Sequence, residues 1–360
     1  MSRIINVAII GAGIGGEHLD AYRQLADRFR VRTVCDLDKE RAASIVGSDD
    51  IAIETDVESV LVDPKIELVD VCLPPHLHFK NSFAALNAGK HVICEKPLAT
   101  SLQDVDALAD AAARANRKLF PVFQYRYGPA MVQLKALVAA GVAGKPFAAS
   151  LETHWNRDAE YYAVPWRGTW AGEQGGAVLG HAIHNHDLLM HIMGPVARLS
   201  AMTTTRVNDI ETEDCAAITF EMENGAVATS SITLGASTDT TRLRVCFEGL
   251  TAQSGTAPYA PANDIWTFQA RDPEKQNKID AVLASVPTRH FGFTGFLEAI
   301  ADCLNGAAGN EVSVLDGRRS IELVTAVYHA AKLQSSISLP LGSDTPYYDG
   351  WLPSQEIKGT

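Results

Sequence analysis

The first third of the chain alternates short apolar runs with stretches of helical periodicity, a pattern that predicts a parallel sheet with crossover helices. Residues 4–10 are almost continuously apolar and β-branched, as expected of a strand buried on both faces. Further strands are predicted at 30–35, 68–73, 91–94 and 119–124. Between them Asp38, Asp56 and Ser101 are candidate helix N-caps, and Gly89 is a stop for a helix beginning at His78. After Pro146 the pattern changes. Alternating runs at 216–221 and 227–233 flank Asn224-Gly225, the strongest hairpin signal in the sequence, and imply an antiparallel sheet. Two more helices, roughly 294–304 and 317–334, precede a Pro- and Gly-punctuated tail ending near Trp351. The fold class is α/β, with a doubly wound parallel sheet over residues 1–125 and a second α/β domain over 126–360. The natural place for a ligand is the cleft at the carboxyl ends of the parallel strands.

The first apolar run ends in Gly11-Ala12-Gly13-Ile14-Gly15-Gly16. Gly11, Gly13 and Gly16 have the spacing that lets a backbone turn tightly, approach a pyrophosphate and pack the next helix against the strand. The phosphates would meet the N–H groups and positive dipole end of that helix. The second strand ends in Asp36, about 20 residues beyond Gly16, where an acid is wanted for the adenosine ribose hydroxyls. Asp36 and Asp38 would both repel a 2'-phosphate, and the first basic residue after them, Lys39, already belongs to the next helix. NAD is therefore favoured over NADP as cofactor.

Composition narrows the partners. A length of 360 residues with 46% hydrophobic content suits two domains with cores of their own. The formal net charge of −12 argues against a nucleic-acid or anionic-membrane partner. The six cysteines are scattered without Cys-x-x-Cys or disulfide-like spacing, and with no signal-peptide pattern or bilayer-length apolar run they read as reduced thiols of a cytoplasmic protein.

Cys94-Glu95-Lys96-Pro97 closes a predicted strand. Pro97 stops it and restricts Lys96 to extended backbone, so Glu95 and Lys96 should point to opposite sides. A lysine held there can bond a substrate oxygen and stabilise a developing alkoxide, and a positive nicotinamide nearby would lower its pKa toward the working range. The plain alternative is a surface Glu-Lys pair in a loop.

These motifs, with Pro74-Pro75-His76-Leu77-His78, the run Ala88-Gly89-Lys90-His91 leading into Val92-Ile93-Cys94-Glu95-Lys96-Pro97-Leu98, and Gly175-Gly176 to His184, resemble the glucose-fructose oxidoreductase / inositol dehydrogenase family, Gfo/Idh/MocA. The resemblance covers nearly the whole chain and implies an N-terminal Rossmann domain followed by an α/β domain with a large open, mainly antiparallel sheet. It implies a nicotinamide-dependent oxidoreductase acting on a carbinol carbon of a sugar, inositol, sugar acid or related polyol, with assembly into homodimers or homotetramers through the open sheet. By the same resemblance Gly11, Ala12, Gly13, Ile14, Gly16, Asp36, Pro74, His76, His78, Glu95, Lys96, Gln124, Trp166 and Arg167 would hold the cofactor. Lys96 and His184 would share proton transfer, and Asp187 would help hold the helix of His184. The chain departs from the family in one respect: many members carry an aspartate four residues before that histidine, where this chain has Gly180 followed by His181.

The histidine segment reads as a turn running into a helix that ends at Gly194. At helical spacing His181, His184, Leu188 and His191 share one face, while His186 points elsewhere. Near a helix N-terminus the dipole keeps an imidazole neutral and able to accept a proton, and His181 could replace the missing carboxylate or bind a substrate oxygen. No metal site is expected, since His184 and His191 lie about 10 Å apart along a helix and cannot chelate one ion. Aromatic and polar residues gather at Tyr125-Arg126-Tyr127, at His154-Trp155-Asn156-Arg157, at Tyr161-Tyr162 and at Trp166-Arg167. Such side chains suit a polyhydroxylated ring that stacks on aromatics and is bonded laterally, and Arg126 and Arg167 could instead grip the carboxylate of a sugar acid. The candidate substrate residues are thus Lys96, Arg126, His154, Arg167, His181 and His184. Two other readings stay open: a glycosidase that uses NAD transiently with no net redox change, and a non-catalytic NAD-binding regulator.

Overall fold

The computed structural model describes residues 3–307 and 309–352. By its internal contacts the chain divides into two units. One comprises residues 1–99, 104–128 and 289–318, and the other residues 100–103, 129–288 and 319–360.

The first unit is built on a six-stranded sheet, all parallel, in the order β3-β2-β1-β4-β5-β6. Its elements are β1 (Ile5–Ile10), α1 (Gly15–Gln24), β2 (Phe29–Cys35), α2 (Lys39–Val46), β3 (Ala52–Glu54), α3 (Val57–Val62), β4 (Leu68–Val71), α4 (His78–Asn87), β5 (His91–Cys94), α5 (Leu102–Ala115) and β6 (Leu119–Pro121). This strand order places the reversal between β1 and β4, where open α/β sheets bind ligands. Val7, Ala8 and Ile9 at the centre of β1 are fully buried, and burial of each of the two larger side chains, Val7 and Ile9, contributes about 1.5–3 kcal/mol. Asp38 caps α2 through the N–H groups of Glu40 and Arg41, and Asp56 caps α3 through that of Glu58. Gly89 follows α4 at φ +76, a conformation that L side chains rarely adopt.

The structure corrects one expectation and adds one element. The strand of the apolar run at 119–124 ends at Pro121: the Val122 N–H still donates to the Cys94 carbonyl at 2.9 Å, Phe123 is buried beyond the strand, and Gln124–Arg126 forms a 3-10 turn. The edge strand β3 is a further element, three partly exposed residues too short to register as a pattern. The lysine of the Ala88-Gly89-Lys90-His91 run is a tie: Lys90 Nζ donates to the carbonyls of Asp63 (2.6 Å) and Ile66 (2.9 Å), joining the end of α3 to the approach to β4.

The second unit carries α6 (Pro129–Ala139), β7 (Pro146–Asn156), α7 (Ala177–Gly180), α8 (Ile183–Met193), β8 (Val196–Thr204), β9 (Cys215–Met222), β10 (Val227–Thr233), β11 (Gly235–Phe247), β12 (Leu250–Gln253), β13 (Thr267–Ala270) and α9 (Gln276–Ala284). Its eight-stranded sheet has the order β13-β12-β11-β7-β10-β9-β8-β14 and is antiparallel throughout except where β7 runs parallel to β10. The strand β14 (Ile337–Ser338) forms its edge after α11 (Val314–Leu333). Asn224-Gly225, with Gly225 at φ +82, turns β9 into β10 as the hairpin signal predicted. Every second residue of β9 and β10 is buried and its neighbours are exposed, so this part of the sheet has one covered and one uncovered face.

Helix α10 (Gly292–Leu304) lies late in the sequence yet belongs to the first unit. There it packs on α1, with Arg28 ion-paired to Asp302. In the same returning segment Asp316 meets Arg126 at 3.1 Å, and Arg318 meets Asp106 at 2.7 Å. No helix among the described residues is long and apolar enough to cross a membrane.

Candidate active site

The glycine turn between β1 and α1 is shaped differently at each glycine. At Gly11, φ is +102 and a Cβ would lie 2.3 Å from the Cys72 carbonyl oxygen, so only glycine passes there. A Cβ at Gly13 would meet nothing within 4 Å, which leaves open space above the turn. At Gly16 it would press on Ile45 at 3.3 Å, and at Gly15 on Ile9 at 2.9 Å, so both keep the start of α1 close to its neighbours. Ile14 occupies the N-cap of α1 with no side-chain cap bond. An open space before an uncapped helix start fits a pyrophosphate.

At the end of β2, Asp36 accepts from the Ala12 N–H at 2.7 Å and from the Asp38 N–H at 2.9 Å, and Arg41 reaches back from the first turn of α2 at 2.8 Å. Burial alone would raise the Asp36 carboxyl, but the Arg41 guanidinium and these N–H bonds hold it below the ordinary carboxylate range. Arg41 lies five positions beyond the acid, at helical reach and past Lys39, where the sequence expectation ends. Leu37, also absent from that expectation, is 90% exposed beside Asp36, a conspicuous position for a large apolar side chain.

Three segments follow at the ends of β4, β5 and β6. Pro75–Leu77 is a 3-10 turn that presents His76. His78 behind it is buried, its ring nitrogens 2.6 Å from the carbonyl oxygens of Leu73 and Pro97, so it fastens the Pro74 turn to the segment after β5. That segment holds Glu95 and Lys96, where the Lys96 N–H donates to Glu95 Oε2 at 3.0 Å and the Lys96–Pro97 peptide is cis. Beyond β6, Gln124 keeps a buried Oε1 with no hydrogen-bond partner, a vacant acceptor in the same unit. Arg126, two residues on, has its charge met by the Asp316 carboxylate.

In the second unit the histidines separate. His181 is the C-cap of the short helix α7, and α8 begins only at Ile183, so His181 and His184 do not share one continuous helix face as expected. His184 is the second residue of α8, in the first turn as the sequence suggested, and Asn185 ties this turn to β7 through Thr153 Oγ1 at 2.9 Å. His186 points into the core, 3.0 Å from Ser230 Oγ, and burial pushes its pKa down to about 4, keeping it neutral. Around His181 stand Trp155 (ring centroids 5.6 Å) and Tyr161 (5.9 Å), with the Arg167 guanidinium 4.0 Å over the Tyr161 ring and 5.4 Å from that of Trp166. Arg157 lies 5.2 Å from both the Trp155 and Tyr161 rings and pairs with Asp239 at 3.0 Å. His154 is not part of this group: strand alternation turns it to the opposite face of β7 from Thr153 and Trp155, against Ser231 at 2.9 Å.

A buried acid supports the histidine segment. Glu213 Oε1 accepts from the Val178 N–H and the Tyr328 hydroxyl, both at 3.0 Å, while its own carbonyl accepts from the Ala177 N–H at 2.8 Å. Nothing in the sequence marked Glu213, which lies 35 positions from Val178. Burial pushes its carboxyl up to about 7 against those hydrogen bonds. An acid raised this way stabilises the fold fully below its unfolded value of 4.5, and that contribution is lost as pH rises through about 7. The loss amounts to about 3 kcal/mol at most. Glu213→Gln keeps the acceptor without the charge, so its stability relative to the parent protein should improve between pH 5 and pH 8 in paired thermal melts. A difference independent of pH would show that Glu213 does not ionise across this range.

Comparison with known proteins shows the family of the chain. Residues 5–123 match the Gfo/Idh/MocA oxidoreductase family, NAD-binding Rossmann fold, and residues 131–252 match the C-terminal domain of the same family. A levoglucosan dehydrogenase of Pseudarthrobacter phenanthrenivorans is 31% identical over 212 residues, 56% of this chain and 54% of that protein. An inositol 2-dehydrogenase of Streptomyces avermitilis is 34% identical over 149 residues, 41% of this chain and 43% of that protein. The chain therefore matches about half the length of these two curated relatives. The WlbA dehydrogenase of Bordetella pertussis, solved with NADH and UDP-GlcNAcA, superposes with a TM-score of 0.81 at 26% identity, over 94% of this chain and 100% of that one.

Proposed function

The chain belongs to the Gfo/Idh/MocA oxidoreductase family, with its NAD-binding Rossmann fold, and from that premise we propose that it is a dehydrogenase of a CH–OH group on a sugar, inositol, sugar acid or related polyol. The observation that carries this reading is the place of Lys96: at the carboxyl end of β5, in the unit that also holds the glycine cradle, with its backbone fixed by Glu95. In the proposed oxidation Lys96 Nζ bonds the substrate hydroxyl and stabilises the alkoxide that forms, and a ring nitrogen of His184 takes the proton. A bound nicotinamide would supply the acceptor for the hydride of the carbinol carbon. Gly11, Ala12, Gly13, Ile14 and Gly16 would cradle the pyrophosphate and Asp36 the adenosine ribose, which favours NAD over NADP. Glu95, Gln124, Pro74 and His76 would line the nicotinamide side. Trp166 and Arg167, with the aromatic group around His181, would flank the sugar or the cofactor. The uncovered face of the eight-stranded sheet, where Met202 and Val227 are exposed, would join copies into a dimer or tetramer, and the protein would act in the cytoplasm.

The test is NADH formation, followed by absorbance, with NAD or NADP and a panel of inositols, free sugars, anhydrosugars such as levoglucosan, glycosides, and free or UDP-linked sugar acids. Turnover of one class with NAD is the expected result. Cleavage of a glycoside without net NADH would replace the dehydrogenase by the glycosidase. NAD binding without turnover of any member would favour a regulator.

A further inference from the structure

Beneath the cradle, the buried part of α1 carries charge. His18 is fully buried, with Nδ1 2.9 Å from Asp70 Oδ2 and Nε2 3.2 Å from Glu95 Oε1. Asp70 lies on β4 and Glu95 directly follows β5, so one imidazole bridges neighbouring strands. Around Asp70 the Tyr22 hydroxyl donates to Oδ2 at 2.9 Å and the Cys72 thiol approaches Oδ1 at 3.4 Å. On the other side the Phe293 ring of α10 lies 4.5 Å from the His18 ring.

A neutral imidazole has one donor and one acceptor, and would set a lone pair against one of these carboxylates. Only the protonated ring donates to both. Burial works against that charge, but the Asp70 carboxylate outweighs it and holds the His18 pKa well above the ordinary value. The thiol is pushed up by burial and by Asp70, which keeps it neutral. The network then continues outward, because Glu95 offers Oε1 to His18 and Oε2 to the Lys96 N–H.

We propose that His18 is a positioning residue for Lys96: anchored by Asp70, it pins Glu95 Oε1, so that Oε2 holds the Lys96 N–H and fixes the backbone from which the lysine side chain projects. The chain of contacts runs from Tyr22 through Asp70, His18 and Glu95 to Lys96, and every member lies in the first unit. This inference rests on the catalytic reading of Lys96 for its effect on turnover, but not for its effect on the backbone.

Two measurements on the full chain separate those effects. Amide hydrogen exchange without substrate compares Lys96 with Val92 of β5, whose N–H is bonded to the Lys118 carbonyl just before β6. His18→Gln is expected to speed exchange at Lys96 at least tenfold and leave Val92 unchanged. Should that variant not fold, Tyr22→Phe removes only the outer bond to Asp70 and should give a smaller change, about two- to fivefold, at Lys96 alone. Equal acceleration at both amides, or none at Lys96, overturns the proposal. With a turned-over substrate, His18→Gln should lower kcat tenfold to a hundredfold with the NAD Kd within threefold, and this loss should vanish in a Lys96→Met background. A loss that persists undiminished there overturns the link to Lys96. If no substrate is found, the dehydrogenase reading fails and the exchange data alone decide the positioning role.

Discussion

Lys96→Met is expected to lower turnover by about 10²–10⁴-fold while leaving NAD affinity within a few-fold. Methionine is unbranched and of similar length, so it fills the space of the lysine stem and removes the ammonium group. The Lys96 N–H remains to bond Glu95 Oε2, so the backbone at the end of β5 should keep its course. What disappears is the donor that would meet the substrate oxygen as the alkoxide forms. Steady-state kinetics paired with NAD titration checks this result, and unchanged turnover would remove Lys96 from the chemistry. A raised Kd for NAD with unchanged kcat would instead make Lys96 a cofactor ligand only.

The second large effect is expected at the end of β2. Asp36→Ser should shift the ratio of kcat/KM for NADP to that for NAD upward by about 10²–10³-fold, some 3–4 kcal/mol. Two causes act together. The substitution removes the carboxylate that would accept from the ribose hydroxyls and repel a 2'-phosphate, and it releases Arg41, now bonded to Asp36 Oδ1 at 2.8 Å from a half-exposed position. A guanidinium freed there can grip a phosphate with two parallel N–H bonds. Adding Arg41→Ala to Asp36→Ser should cancel about tenfold of the gain. If the single variant leaves the ratio unchanged, Asp36 does not set the cofactor preference.

The sequence made the parallel sheet legible because β-branched runs, glycine punctuation and helix caps repeat locally, and each reports on neighbours a few residues away. It misread what distant residues decide. Phe123 continues the apolar run of β6 because it is buried, and hydrophobicity alone does not separate burial from strand pairing. His181 and His184 lie three apart, a spacing that a helix face and two successive short helices share, so the break at Ala182 was invisible. The pairing of Arg126 with Asp316 was invisible because the two stand 190 positions apart. His154 read as a partner of the aromatic group because it adjoins Trp155, yet strand alternation sends the two to opposite faces. The network of His18, Asp70 and Glu95 joins three elements by side-chain bonds that no local pattern announces. The glycine turn and the Glu95-Lys96-Pro97 segment were legible for the opposite reason, since each packs its chemistry into a few consecutive residues.

The return of α10 to the first unit bears on how the chain is made. By residue 128 all six parallel strands have been synthesised, but the segment 289–318, which covers α1 and supplies the partner of Arg126, begins about 160 residues later and is complete only after about 190. At roughly 5–20 residues per second that is a wait of some 10–40 s on the ribosome. During it the face of α1 around His18 lacks the cover that Phe293 and the rest of α10 later give it.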